Sequence, residues 1–159
     1  MKKLTKAIMM IFLYLGIVTG CNKNEVQGNQ DYMTLMQTTN PTPTNIVSGK
    51  NHVTAEEIKK DVEKKREYIY DVAVIKGENE DLVVYKVKHL QRFRMNKIEK
   101  EITEMLEKKY PDENFVVSSD YKIFLEAVRL GEKMKDPHFS KKDAQKRLDE
   151  IIKLKNELT

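Results

Sequence analysis

At 159 residues the chain is long enough for one ordinary domain with appendages, and its single cysteine excludes an internal disulfide. The formal net charge is +4, but Lys2, Lys3 and Lys6 supply three of those charges, leaving a remainder of about +1. With lysine far outnumbering arginine, that balance argues against nucleic acid as a partner. The chain opens on the basic stretch "MKKLTK", followed by a dozen uncharged residues, Ala7 to Val18. That is the length of a signal-peptide hydrophobic region and falls short of the roughly 20 residues of a spanning helix.

The residues that follow, "VTGC", consist of Val18, Thr19, Gly20 and Cys21. An aliphatic residue, two small ones and a cysteine directly after a hydrophobic region resemble the lipobox of bacterial lipoprotein precursors. The resemblance implies that the Cys21 thiol receives a diacylglycerol and that cleavage before Cys21 removes residues 1–20. Two acyl chains hold a membrane far better than one. The mature protein is then expected on the outer face of the cell, forespore or spore membrane, where nucleic acid is not available.

Residues 21–52 read as the lipidated cysteine and a disordered polar linker, rich in Asn, Gln, Thr, Gly and Pro and containing "TTNPTPTN". Such a composition buries too little apolar surface to offset the entropy of ordering. A flexible chain of that length spans roughly 30 Å root-mean-square. Tyr32, Met33, Leu35 and Met36 interrupt it, either as a short partner-binding motif or, more simply, as a chance apolar cluster.

Residues 53–159 read as one α+β domain. Thr54 and Glu57 form a capping box, with Val53 as a staple, opening a charged helix to about Glu67. Ile69–Lys76 and Leu82–Lys88 are rich in β-branched and aromatic residues and flank the turn "GENED". Val83, Tyr85 and Val87 share one face of the second strand and Lys86 and Lys88 the other, which predicts a hairpin buried on one side. Helical spacing over Met95–Tyr110 ends at Pro111, and Asn114–Ser119 reads as a short strand. Asp120 caps a helix carrying Tyr121, Phe124, Leu125 and Val128, which Gly131 interrupts or ends. Ser140 and Asp143 open a last helix through Leu148, Ile151, Ile152 and Leu158. The order α-β-β-α-β-α-α predicts a small sandwich with helices on one face of a sheet.

"DVAVIKG", "DLVVYKVK", "NKIEKEITEMLEKKYPDE" and "NFVVSSDYKIFLEAV" resemble, in this order, the sporulation lipoprotein family of endospore-forming bacteria, the YhcN/YlaJ type. The likeness covers roughly Val53 to Lys135 and adds to the lipobox and spacer. It departs at Tyr68, Tyr70 and Asp71, where the family tends to smaller residues, and residues beyond Lys135 match no pattern of the family. The resemblance implies a membrane-anchored, Gram-positive envelope protein of the spore or forespore that acts in sporulation or germination.

No catalytic constellation is legible. His52, His89 and His138 have no shared spacing, no G-x-S-x-G is present, and Gly77 and Gly131 are isolated. Carboxylates lie beside lysines at helical spacing, as with Glu101 and Lys97 or Glu104 and Lys108, the pattern of a solvated face. The expectation is a non-enzymatic protein without cofactor or metal, working through an envelope or spore protein. The alternatives are an accessory factor of a peptidoglycan hydrolase and a small ligand-binding lipoprotein unrelated to sporulation. One cluster stands out, "KVKHLQRFRMNK", with Lys86, Lys88, His89, Arg92, Arg94 and Lys97 around Phe93. It reads as a basic patch for anionic headgroups, wall polymers or an acidic partner. The plainer and preferred alternative is a solvated loop whose Phe93 tucks into the core.

Overall fold

The computed structural model describes residues 40–47 and 53–158. They form an α+β unit around a four-stranded mixed sheet of order β1-β2-β3-β4. The strands are β1 (Thr44–Asn45), β2 (Ile69–Lys76), β3 (Asp81–Val87) and β4 (Phe115–Ser118). The helices are α1 (Ala55–Val62), α2 (Met95–Lys109), α3 (Tyr121–Lys133) and α4 (Lys141–Glu157). β2 and β3 pair antiparallel, while β1 and β4 add parallel at the two edges.

Local chemistry accounts for where the helices begin. The Thr54 hydroxyl accepts from the Glu57 amide at 3.3 Å, and the Glu57 carboxylate accepts from the Thr54 amide at 2.9 Å. Asp120 accepts from the amides of Lys122 and Ile123, and Ser140 from that of Asp143, so each cap satisfies donors that the first turn leaves open. α1 is shorter than expected, because Glu63–Lys65 tightens into a 3₁₀ turn. α3 does not break at Gly131. A Cβ there would lie 3.3 Å from the Thr44 hydroxyl, so the bare glycine lets α3 approach the strand segment across from it.

The sheet is covered on both faces, which corrects the expectation of helices on one face and of a one-sided hairpin. α1 and α2 pack on the face carrying Val72, Val74, Val83, Tyr85 and Val87. α3 and α4 pack on the face carrying Ala73, Ile75, Leu82 and Val84. The apolar runs Val72–Ile75 and Leu82–Tyr85, with no polar residue at alternate positions, are the pattern of strands buried on both sides. Leu158, expected on the buried face of the last helix, is exposed at its C-terminal cap.

The boundary of the ordered unit also moves. Within the stretch expected to be linker, Asn40 to Val47 belongs to this unit: β1 pairs with Ile75 and Lys76, and Ile46 is fully buried. The ammonium of Lys59, buried on α1, donates to the Asn40 side chain at 2.7 Å and to the Pro41 carbonyl. Burial pushes the Lys59 pKa down, against the pull of Glu63 and Asp71. Pro41 and Pro43 lack the N–H groups that would extend a β ladder, so this segment covers the flank of β2 while pairing with it only briefly. The remaining linker, with Tyr32 to Met36, lies outside the described residues.

Apart from Lys59, which is held by neutral acceptors, the buried charges among the described residues are paired. Lys76 Nζ reaches Asp81 at 3.1 Å and Glu113 at 2.7 Å, which ties the hairpin to the β4 approach. Glu126 on α3 binds Arg129 at 2.7 Å and Arg147 of α4 at 2.5 Å. At the hairpin turn, Gly77 donates its amide to Asp81 at 3.2 Å. A Cβ on Gly77 would lie 2.5 Å from the Glu80 carbonyl and 2.6 Å from a Leu148 methyl. Gly77→Ala is therefore expected to cost about 1–3 kcal/mol of stability through overpacking. Urea unfolding measures it, and a variant as stable as the parent would show that the turn yields freely.

Candidate functional site

Between the end of β3 and the start of α2 the chain makes a 3₁₀ helix, His89–Arg94. With roughly three residues per turn, positions three apart eclipse one another, so the helix has three distinct faces. Gln91 and Arg94 form the inner face and are half-buried. Arg94 donates to Gln91 at 3.3 Å, and its guanidinium lies 5.1 Å from the centre of the Tyr68 ring. The Lys88 amide donates to the Tyr68 carbonyl at 2.9 Å and the Gln91 amide to the Lys88 carbonyl at 2.8 Å, holding the start of the helix to the domain. His89 and Arg92 form a second, exposed face.

Leu90 and Phe93 form the third face and stand in solvent, 79% and 85% exposed. This corrects the expectation that Phe93 tucks into the core. The reason is geometric: the inner face is already taken by Gln91 and Arg94, and Phe93 eclipses Leu90 rather than either of them. Lys88 is exposed at the N-terminal cap of the helix, and Lys97 follows on the first turn of α2, 4.0 Å from Glu101 and mostly solvated. No carboxylate occurs between Asp81 and Glu99, in a chain with 25 Asp and Glu residues. The surface is therefore an exposed apolar pair on a basic stretch of chain, with Glu101 4.0 Å from Lys97 and Glu67 beside Tyr68 at its margin.

The patch expected from sequence is only partly brought together. Lys88, Arg92 and Lys97 are on the surface as expected, whereas Arg94 is committed to Gln91 and Tyr68. Lys86 leaves the patch altogether. It is 6% exposed and points to the α3 side, where it meets Asp71 at 3.1 Å and lies 4.6 Å from the centre of the Phe124 ring. Asp71 and Lys86 are direct cross-strand partners, so the register itself makes this pair. Tyr70 and Tyr121, both exposed, flank the same ammonium at 5.7 and 5.9 Å. Leu90 is the functional candidate that the charge count alone passed over; its signal is the three-residue spacing to Phe93 within the carboxylate-free run.

The chain was compared with protein-family models, curated proteins and solved structures. None of them matches it.

The exposed histidines, His89 and His138, lie on different elements, and His52 falls outside the described residues. No group of three or more His, Cys, Asp or Glu among the described residues is placed to hold a metal. A cleft of about 240 Å³ separates Pro41–Asn45 from the C-terminal half of α3. Its charged lining residues, Glu132 and Lys135, pair with each other at 2.7 Å. On α2, Lys97 faces Glu101, and Glu104 is 3.8 Å from Lys100 rather than paired with Lys108. Tyr85, fully buried, has a hydroxyl without a hydrogen-bond partner among the described residues, and burial raises its pKa. Cys21 and the lipobox residues Val18, Thr19 and Gly20 lie outside the described residues. No helix among the described residues is long and apolar enough to cross a membrane.

Proposed function

We propose that this chain is a lipid-anchored, non-enzymatic envelope protein of the spore or forespore, acting in sporulation or germination through contacts made by its folded unit. The observation that carries an interaction role is the exposed Leu90–Phe93 pair on a positively charged 3₁₀ helix held rigidly by Arg94 and Tyr68. Adjacent exposed apolar side chains on a polar surface are a feature of interaction sites. The buried charges Lys76, Lys86, Asp81 and Asp71 are engaged with one another, which suits a structural role. The anchor and the spore setting rest on the sequence: the lipobox at Val18–Cys21 and the likeness of residues 53–135 to sporulation lipoproteins.

Two measurements test the reading together. The intact mass of protein extracted in detergent from sporulating cells is expected to correspond to a chain beginning at a diacylglyceryl-modified Cys21. Immunoblots through a growth and sporulation course are expected to show the protein appearing with sporulation. An unmodified Cys21 in a chain that retains residues 1–20 would overturn the anchor. Equal abundance in vegetative cells would overturn the spore assignment.

A further inference from the structure

We infer that the His89–Arg94 helix is a membrane-docking element: Leu90 and Phe93 enter the headgroup layer of an anionic phospholipid bilayer while Lys88, Arg92 and Lys97 engage its phosphates. This deepens the interaction reading above by naming the partner of that surface.

The argument begins with shape. Leu90 and Phe93 stand side by side above the surface and are 79% and 85% exposed; they do not line a groove. A protein partner that buried them would need a complementary pocket, and a few well-packed anchors usually carry such an interface. A fluid headgroup layer needs no such pocket and accepts two projecting apolar side chains as they stand. The charge around the ridge then selects among bilayers. Arg92 is exposed on the short helix, Lys88 is exposed at its N-terminal cap, and Lys97 follows on α2, 67% exposed and 4.0 Å from Glu101. Exposed basic side chains flanking an apolar tip complement anionic lipid, each basic residue near such a surface adding about five-fold in binding.

Rigidity is the third part of the argument. Arg94 stacked on Tyr68, and the Lys88 amide bonded to the Tyr68 carbonyl, keep the ridge from folding back onto the domain. The apolar pair therefore stays presented in the free protein, and little ordering is left to occur on docking.

The chain contains no tryptophan, so a Phe93→Trp variant carries a single reporter at the tip of the ridge. The full-length variant, purified in detergent, is reconstituted on vesicles of phosphatidylcholine alone or of phosphatidylcholine with phosphatidylglycerol. On the anionic vesicles the indole emission is expected to shift to the blue and to be quenched by brominated acyl chains. Adding Lys88→Gln and Arg92→Gln is expected to weaken that docking about 25-fold. Sedimentation of the same samples reports the N-terminal anchor separately. Protein that sediments with vesicles while its indole stays water-like and unquenched would keep the anchor and sink the docking proposal. Equal quenching on neutral vesicles would overturn the role of the basic residues. A blue shift that rises with protein concentration in the absence of vesicles would assign the ridge to a second copy of the chain instead.

Discussion

Lys86→Ala is expected to lower the unfolding free energy by about 3–5 kcal/mol, the usual cost of leaving a buried charge without its partner. Lys86 and Asp71 have side chains 6% and 5% exposed and meet at 3.1 Å, so losing the ammonium strips Asp71 of its ion-pair partner and leaves it the longer-range pull of Lys59. Besides Lys86, Asp71 accepts from the Asn40 amide at 3.1 Å, a single neutral donor that does not replace an ammonium. The truncation also removes the aliphatic stem and the cation lying 4.6 Å from the centre of the Phe124 ring. Lys86→Met with Asp71→Asn, which removes both charges and keeps volume and an acceptor, is expected to recover most of the loss. Lys88→Ala, on an exposed side chain, is expected to stay within about 0.5 kcal/mol of the parent. Urea unfolding of the four proteins decides the matter. If Lys86→Ala loses less than about 1 kcal/mol, Lys86 belongs to the surface after all.

Asp61→Asn is expected to cost about 2–4 kcal/mol near neutral pH and to flatten the acid limb of the stability profile. The Asp61 carboxylate, on the last turn of α1, accepts from Lys64 at 2.7 Å, from Tyr110 at 2.5 Å, and from Lys109. Tyr110 and Lys109 sit at the end of α2, so one carboxylate holds together the two helices of that layer. Burial acts to raise the Asp61 pKa, but the hydrogen bonds from Lys109, Lys64 and Tyr110 outweigh it and hold the group well below the usual carboxylate range. A folded pKa below the unfolded one gives stability that is complete above the unfolded value. That stability is lost as pH falls through the folded value, a window running from about pH 5 downward. The parent should therefore lose stability more steeply on acidification than Asp61→Asn. Asp81 acts in the opposite sense, since burial raises its pKa despite Lys76, but it is common to both proteins and cancels in the comparison. Parallel profiles for parent and variant down to about pH 2 would refute the assignment.

Much of the secondary structure was legible because its signals are local. The capping pairs Thr54–Glu57 and Ser140–Asp143, and the cap at Asp120, start helices where the sequence places them. The strand expected at Ile69–Lys76 is found there, and its partner runs over Asp81–Val87, one residue earlier than expected. The helix expected over Met95–Tyr110 ends at Lys109, just before Pro111. β1 escaped notice because two residues between prolines have no periodicity of their own and pair only where β2 is already present.

The candidate surface was legible as a charge pattern and illegible as a shape. A run free of carboxylates can be counted, but the count treats Lys86, Lys88, Arg92 and Arg94 as equals. The structure separates them by the direction each side chain takes. A strand alternates its faces every residue and a 3₁₀ helix repeats roughly every three, so the change of element after Val87 sends these neighbours to different surroundings.

The sequence by itself determined the order of elements from α1 to α4, the caps of α1, α3 and α4 and the apolar content of β2 and β3, because each depends on neighbours a few residues apart. Only the tertiary structure decided that α3 and α4 close over the second face of the sheet. That one event buries Lys86 against Asp71 and Phe124, and burial on β3 depends on helices that arrive some forty to seventy residues later in the chain. The same logic leaves Leu90 and Phe93 in water: Gln91 and Arg94 take the inner face of their helix, and no element of the described unit covers the outer one.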